Sequence, residues 1–223
     1  MPLVRHVAAS VHGRTLVRPA ASGPARGWLV GFHGYAQLAE AMLETLERVP
    51  RAERWLLASV QALHPFYAGR NNAVVANWMT RQDRELAIAD NVAYVDAVLE
   101  ALAGEFGAPA RLVFAGFSQG VAMAYRAALL GRRRCAAVIA AGGDVPPELT
   151  MGADRAWPTV LIATGKSDPF YTPERLGRDL EFFRAHGIDA RPLVFDGGHE
   201  WSDAVHAAAG ELLAALEAAP APP

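Results

Sequence analysis

The stretch LVFAGFSQGV, residues 112–121, decides how the rest of the chain is interpreted. Its centre, GFSQG, matches the pattern G-x-S-x-G. A run typical of a buried strand precedes Ser118, and apolar residues at helical spacing follow it. In such a strand–turn–helix the serine backbone is strained, and side chains two residues away would collide, so Gly116 and Gly120 fit the need for glycine. The context predicts that Ser118 is a nucleophile; the alternative is an incidental serine in a tight loop.

The rest of the chain alternates short apolar runs with segments of helical periodicity. Strands are predicted within residues 27–34, 54–60, 111–117, 136–143, 159–165 and 190–198. Helices are predicted within residues 39–49, 84–106, 119–131, 173–187 and 200–217. The runs are almost continuously apolar, as expected for parallel strands buried on both faces. The alternation predicts an α/β fold with a mostly parallel sheet.

Three segments need separate interpretation. Residues 5–10 and 15–19 could pair as an antiparallel edge hairpin. Residues 61–80 fit neither period, and two interpretations stay open: a functional loop, or aromatic residues that cap the core. We expect a single domain over residues 1–217, and a disordered tail over residues 218–223, where proline and alanine offer nothing to pack.

Composition limits the classes of partner. The 223 residues are 52% hydrophobic and carry a formal net charge of −2. The short basic run at 132–134 suits a helix end better than a nucleic-acid patch, so nucleic acid is set aside as a partner. The single cysteine, Cys135, excludes an intramolecular disulfide. No apolar segment approaches the roughly 18–20 residues that span a bilayer, so we expect a soluble, cytoplasmic protein; a homodimer is compatible with the sequence.

A nucleophilic serine needs a general base and an acid that orients it, and these follow the serine strand in chain order. Asp168 comes after the strand predicted at 159–165, and His199 comes after the last one. Both lie at the edge where ligands of open α/β sheets gather. We therefore predict Asp168 as the acid and His199 as the base. Asp144 and Asp196 are the competing acids, and His206 is the alternative base.

The reaction also needs two backbone N–H donors for a developing oxyanion. The residue after the nucleophile, Gln119, supplies the first. The loop after the strand at 27–34 supplies the second, with Tyr35 favoured over Gly34. No H-E-x-x-H spacing, phosphate-binding loop or dinucleotide fingerprint is present, so we expect no metal and no cofactor.

These motifs together resemble a known family. With FHGY (32–35), GFSQG (116–120), TGKSDPFYTP (164–173) and GGHEW (197–201) in order, the chain resembles the α/β-hydrolase superfamily. Within it, the chain is most similar to the phospholipase/carboxylesterase family, which includes acyl-protein thioesterases. The resemblance runs from about residue 27 to the final helix. It departs from the family at 35–37, where Tyr-Ala-Gln replaces Leu-Gly-Asp, at Thr164, where the family has histidine, and at 142–149.

The resemblance implies an α/β-hydrolase fold with helices on both faces of the sheet and no large lid domain. It also implies a serine esterase with Ser118, Asp168 and His199 as the triad and Tyr35 and Gln119 at the oxyanion hole. We expect a small-molecule ester substrate with a small to medium acyl or aryl group. A lysophospholipase or thioesterase with the same triad, and a non-catalytic ligand-binding protein, are the alternatives. Residues expected to line the pocket are Phe66, Tyr67, Trp78, Phe170 and Trp201.

Overall fold

The computed structural model describes residues 2–151 and 155–219, and its centre is a seven-stranded sheet. The strands are β1 (Thr15–Arg18), β2 (Trp28–Phe32), β3 (Leu56–Val60), β4 (His64–Ala68), β5 (Ala73–Asn77), β6 (Leu112–Phe117), β7 (Ala137–Ala141), β8 (Thr159–Gly165) and β9 (Ala190–Phe195). The order in the central sheet is β1-β3-β2-β6-β7-β8-β9. Only β1 runs antiparallel to its neighbour in this sheet; the other pairs are parallel.

Helices cover both faces of the sheet. They are α1 (Ala39–Glu47), α2 (Arg84–Phe106), α3 (Gln119–Leu130), α4 (Pro147–Thr150), α5 (Pro173–Ala185) and α6 (Asp203–Ala218). Alternate side chains of β2, β3, β6, β7 and β8 pack into two separate cores. Phe114 packs with residues of α2, α3 and α5, and Val113 packs with residues of α1 and α6. Because both faces are covered, β2, β3 and β7 are buried throughout.

The predicted fold class is confirmed: a mostly parallel sheet lies between helices, with no large separate lid domain evident in the described residues. All six apolar runs became strands of this sheet, and the five segments of helical periodicity became helices. The parallel strands end at one common edge of the sheet, which carries the loops after β2, β6, β7, β8 and β9.

The predicted N-terminal hairpin is wrong. Residues 5–10 form no strand, and β1 pairs with β3 instead, in the register Thr15↔Val60. Tyr94 Oη donates to the carbonyl of Arg14 at 3.0 Å, and His6 lies 3.1 Å from a carboxylate oxygen of Asp83. The chain before β1 is therefore attached to the α2 region, and β3, on the side not paired with β2, supplies the hydrogen bonds that the hairpin would have made.

Residues 61–80 contain structure that their sequence concealed. Strands β4 and β5 form an antiparallel hairpin, paired from His64↔Asn77 to Ala68↔Ala73. The hairpin is largely exposed and contains Pro65, so its residues show little of the apolar–polar alternation by which a strand is recognised in a sequence. The short helix α4 was also not predicted. The expected single domain over 1–217 stays a prediction; of the expected tail, residues 220–223 lie outside the described residues, and Ala218 ends α6.

Candidate active site

Ser118 lies on a sharp turn between β6 and α3. Its backbone has φ 53° and ψ −119°, a region that residues with a side chain rarely occupy. A Cβ on Gly116 would collide with the backbone of Gly120, and a Cβ on Gly120 would collide with the carbonyl oxygen of Phe32. Both glycines are therefore required by the close approach of β6, α3 and β2, as the sequence pattern predicts.

The structure brings Ser118, His199 and Asp168 into one hydrogen-bonded chain. Ser118 Oγ lies 2.8 Å from His199 Nε2, and His199 Nδ1 lies 2.8 Å from Asp168 Oδ2. Since Nδ1 faces a carboxylate, this nitrogen carries the proton, and Nε2 is free to accept from the serine hydroxyl. The arrangement has the geometry of a nucleophile, a base and an orienting acid. The catalytic roles themselves remain predictions.

The loop after β8 holds the carboxylate of Asp168 in place. Its Oδ1 accepts from the main-chain N–H groups of Phe170 and Tyr171 at 2.8 and 2.9 Å. The residue is only 4% exposed. Tyr171 Oη in turn donates to Asp179 of α5 at 2.7 Å. The carboxylate can therefore present only Oδ2 to His199.

The competing residues have other partners. Asp144 lies 3.1 Å from a guanidinium nitrogen of Arg175, and Asp196 lies 2.6 Å from Lys166 Nζ. His206 Nε2 is bonded to the carbonyl of Thr45 at 3.1 Å, on the face of the sheet covered by α1 and α6. Of the carboxylates considered from the sequence, Asp168 is therefore the one that contacts His199.

The main-chain N–H groups of Tyr35 and Gln119 lie near Ser118 and have no protein acceptor within residues 2–151 and 155–219. The N–H of Gly34 donates to Gln37 Oε1 at 2.8 Å, which removes Gly34 as a candidate donor. A Cβ on Gly34 would lie 3.3 Å from Ser118 Cβ, so this loop passes directly beside the serine. The geometry suits Tyr35 and Gln119 as oxyanion donors, a role that stays a prediction.

His33 has a structural function that the sequence did not reveal. The ring is fully buried, and burial lowers its pKa below the usual value, so the neutral form is favoured. His33 Nε2 accepts from the N–H of Ala62 at 3.0 Å, which places the proton on Nδ1. Nδ1 then donates to the carbonyl of Gly34 at 2.7 Å. In a trans peptide the N–H opposes the C=O, so holding the Gly34 carbonyl directs the Tyr35 N–H the other way.

The side chain of Gln119 was also missed as a structural element. Its Oε1 accepts from the N–H of Trp78 at 3.1 Å, and its Nε2 donates to Asn77 Oδ1 at 2.9 Å and to the carbonyl of Met79 at 3.0 Å. Nothing in the sequence around Asn77 signals this contact. It depends on where the β4–β5 hairpin folds back on the sheet.

The aromatic residues predicted to line the pocket differ in exposure: some are exposed, and others are packed against the core. Phe170 is 64% exposed with its ring centroid 4.9 Å from that of His199, while Tyr35 is 59% exposed and packs on Phe66. Tyr67 is exposed on the hairpin. Trp201 packs with the apolar cluster around Phe195.

Trp78 was expected to line the pocket, and the structure places it in the core instead. It is 1% exposed and belongs to the core, and its Nε1 donates to the carbonyl of His33 at 2.9 Å. A wide apolar ring is stable there because its one polar atom has a partner.

Phe117 and Gly142 are further site residues that were not predicted. The ring centroids of Phe117 and His199 are 5.0 Å apart. Gly142 has φ 71°, and a Cβ there would lie 3.0 Å from His199 Cε1. Gly142 therefore leaves room for the imidazole of His199, and its own backbone adopts a left-handed conformation that favours glycine.

Across residues 2–151 and 155–219, no three His, Cys, Asp or Glu side chains are grouped so as to hold a metal ion. In the same residues, no helix has both the length and the apolar character needed to cross a membrane.

Comparison with known proteins defines the fold. No protein-family model matches the sequence, and no curated protein matches it. Among solved structures, esterase PE8 has a TM-score of 0.77 at 26% identity, covering 92% of this chain and 100% of that chain. A Bacillus cereus carboxylesterase has a TM-score of 0.71 at 15% identity, covering 92% and 94%. The Zea mays acyl-protein thioesterase 2 has a TM-score of 0.68 at 17% identity, covering 92% and 100%.

The fold is that of an α/β hydrolase. Within that superfamily, the resemblance to phospholipases and carboxylesterases that the sequence motifs carry is confirmed, since the structural neighbours are carboxylesterases and acyl-protein thioesterases.

Proposed function

We propose that the protein is a serine hydrolase that cleaves carboxylic esters of small to medium acyl or aryl substrates through an acyl-enzyme intermediate. The observation that carries this proposal is the unbroken chain from Ser118 Oγ through His199 to Asp168, with 2.8 Å at each hydrogen bond. The esterase neighbours support ester hydrolysis as the class of reaction.

In the first half of the reaction, Ser118 Oγ attacks the ester carbonyl carbon while His199 Nε2 takes the hydroxyl proton. The carbonyl oxygen becomes an oxyanion, which accepts from the N–H groups of Tyr35 and Gln119. The tetrahedral intermediate then re-forms the carbonyl and breaks the bond to the leaving alcohol. His199 returns its proton to that alcohol oxygen. Asp168 stays ionised and holds the imidazolium.

In the second half, water replaces the alcohol. His199 takes one proton from the water as its oxygen attacks the acyl carbon, and the same two N–H groups bind the second oxyanion. Collapse of this intermediate breaks the bond to Ser118 Oγ, which regains the proton from His199. The products are a carboxylic acid and the free enzyme.

The exposed rings beside the triad support an apolar or aryl group in the substrate. Phe170 lies edge-on to His199, and Tyr35, whose main-chain N–H is the second proposed donor, packs its ring on Phe66. An acyl chain or aromatic ring that covers these faces removes apolar surface from water, at about 25 cal/mol per Å². The exposure of both rings favours a substrate that reaches the serine from an open surface.

A fluorophosphonate probe tests the nucleophile, and p-nitrophenyl esters of increasing chain length test the substrate. We expect labelling and turnover of the wild-type protein, and neither in Ser118→Ala. Acyl thioesters and lysophospholipids assayed in parallel separate esterase activity from the two related activities. A wild-type protein that is neither labelled nor active would contradict the proposal and favour a ligand-binding role.

A further inference from the structure

The four residues Ala76–Met79, here termed the clamp segment, contact both sides of the site where the oxyanion would lie. The segment comprises the end of β5 and the two residues after it. One side of the site is the loop after β2, with the N–H of Tyr35. The other side is the first residue of α3, with the N–H of Gln119.

On the first side, the clamp segment fixes the chain before and after Tyr35. Ala76 N donates to the carbonyl of Gln37 at 3.0 Å, and Ala36 N donates to the carbonyl of Ala76 at 3.0 Å. Before the donor, Trp78 Nε1 binds the carbonyl of His33 at 2.9 Å. The Gly34–Tyr35 peptide is therefore held from both flanks.

On the second side, the clamp segment is bonded to Gln119 through every group of its amide. Trp78 N donates to Oε1, and Nε2 donates to Asn77 Oδ1 and to the carbonyl of Met79. Asn77 Oδ1 also accepts from Met79 N at 3.0 Å, which closes the turn. Gln119 thus offers its main-chain N–H to the site and its side chain to the segment that holds the opposite donor.

The distance between two oxyanion donors matters because each must lie about 2.7–3.1 Å from an oxygen that has moved away from its ground-state position. The donors here belong to a loop and a helix that are distant in sequence. Hydrogen bonds from one short segment to both reduce their relative motion. A displacement of about 1 Å between them would weaken binding of the transition state more than binding of the substrate.

We propose that the side chains of Gln119 and Trp78 are positioning residues that set the spacing of the Tyr35 and Gln119 N–H donors through the clamp segment. This inference rests on the proposed esterase function. The competing explanation is that both side chains merely stabilise the fold, with Trp78 filling the core and Gln119 fastening the hairpin. The two explanations differ in which kinetic quantity changes.

The variant Gln119→Glu tests the proposal with little change in shape. A carboxylate keeps the acceptor for Trp78 N, but it places a second acceptor against Asn77 Oδ1 and the Met79 carbonyl. The matched control is Gln82→Glu, since Gln82 lies exposed before α2, where its Nε2 bonds to the side chain of Asp83. Trp78→Phe is the second variant, because it removes the bond to the His33 carbonyl while keeping an aromatic ring. Its smaller ring lowers stability, so all rates are measured well below the unfolding temperature.

Each variant is assayed with a p-nitrophenyl ester and inhibited with an alkyl trifluoromethyl ketone. The ketone reacts with Ser118 Oγ: the carbon–oxygen bond forms, the serine proton passes to His199, and the ketone oxygen becomes an oxyanion. Removing one oxyanion donor lowers kcat by about 10²–10³-fold, so displacing a donor that is still present should cost about 10–100-fold. We expect that loss in kcat, a KM within about 3-fold of wild type, and weaker ketone inhibition by a similar factor. Gln82→Glu should match wild type.

The outcomes separate this inference from the proposed function. If wild type turns over ester and both folded variants keep its kcat, the positioning role is wrong while the esterase function stands. A fall in kcat without weaker ketone inhibition would also overturn the inference, because the oxyanion site would be intact. If Gln119→Glu does not fold, the same readouts on Trp78→Phe decide. A wild-type protein that neither reacts with the ketone nor hydrolyses ester would instead contradict the proposed function.

Discussion

The two ends of the central sheet carry polar clusters of different kinds. At the carboxyl ends of β6, β8 and β9, Ser118 and His199 are partly buried, and the N–H donors beside them have no acceptor in the part of the chain that the structure describes. At the amino end of β3, Glu217 of α6 accepts from Arg51 and Arg54 at 2.7 Å and from Trp55 Nε1 at 3.0 Å. The first cluster leaves donors and a strained serine available, and the second leaves its carboxylate fully bonded.

The difference indicates how the fold divides stability from activity. Strained backbone and unsatisfied donors cost free energy, and they are typical of functional sites supported by a rigid structure. The carboxylate of Glu217 is bonded to three donors and is not available for a reaction, but it attaches the last helix to the start of β3. We therefore expect substitutions at the carboxyl edge to affect turnover, and substitutions at the amino edge to affect unfolding.

The largest expected effect is that of Asp168→Asn. The asparagine Oδ1 can keep both main-chain N–H bonds, so the loop stays folded. Its amide nitrogen, however, faces His199 Nδ1 as a donor and favours the wrong tautomer. We expect kcat for a p-nitrophenyl ester to fall about 10³–10⁴-fold, with an unfolding temperature close to wild type by circular dichroism. Retained activity would show that another carboxylate orients the base, and Asp144→Asn would be the next variant.

Gly120→Ala tests a place at this edge where activity and stability should fall together. Its Cβ would collide with the main-chain oxygen of Phe32, so α3 must shift away from β2. Such overpacking costs roughly 1–3 kcal/mol, and the shift moves Ser118 and the Gln119 N–H. Thermal unfolding and ester turnover should both decline. The matched control, Gly104→Ala, lies in α2 with open space around its Cβ and should gain up to about 1 kcal/mol.

Some residues at the carboxyl edge could be placed from the sequence and others could not, for a physical reason. Ser118, Asp168 and His199 each follow their own strand, so local patterns placed them. In the loop after β2, the N–H of Gly34 is unavailable as an oxyanion donor because it donates to the side-chain oxygen of Gln37, which leaves Tyr35. Trp78 was expected in the pocket because an aromatic residue suits a pocket and a core equally well. Only the return of the β4–β5 hairpin to the sheet, a long-range contact, distinguishes the two.

At the amino edge, Glu217→Gln should lower stability without affecting turnover. Burial alone would raise the pKa of Glu217, but hydrogen bonds from Arg51 and Trp55, together with the charges of Arg51 and Arg54, outweigh it and hold this pKa below its usual value. Hydrogen bonds to a charged group contribute about 1.5–3 kcal/mol, so the unfolding temperature should drop by roughly 3–10 °C for a domain of this size. Ester turnover at 25 °C is the control, and a marked fall in kcat would contradict the division between the two edges.

The pH dependence of this variant follows from the lowered pKa. A carboxylate of this kind contributes its full stability above the unfolded pKa of glutamate, and the contribution is lost as the pH falls through the folded value. The difference in unfolding temperature between wild type and Glu217→Gln should therefore be largest near neutral pH and shrink in acid. A difference that is constant over this range would mean that packing, and not charge, explains the loss.

The smallest expected effect concerns Ala36, which has φ 58° in the loop beside Tyr35. A left-handed conformation costs a residue with a Cβ roughly 1–2 kcal/mol of stability. Glycine avoids this cost, but its greater freedom in the unfolded chain lowers the stability by about 0.4–1 kcal/mol. Ala36→Gly should thus gain only about 0.5–1 kcal/mol, measurable as a rise of a few degrees in unfolding temperature. Its N–H bond to the Ala76 carbonyl is kept, so kcat should stay within about 3-fold of wild type. A large fall in kcat would mean that the stiffness of Ala36 itself, and not the clamp segment, holds the Tyr35 donor.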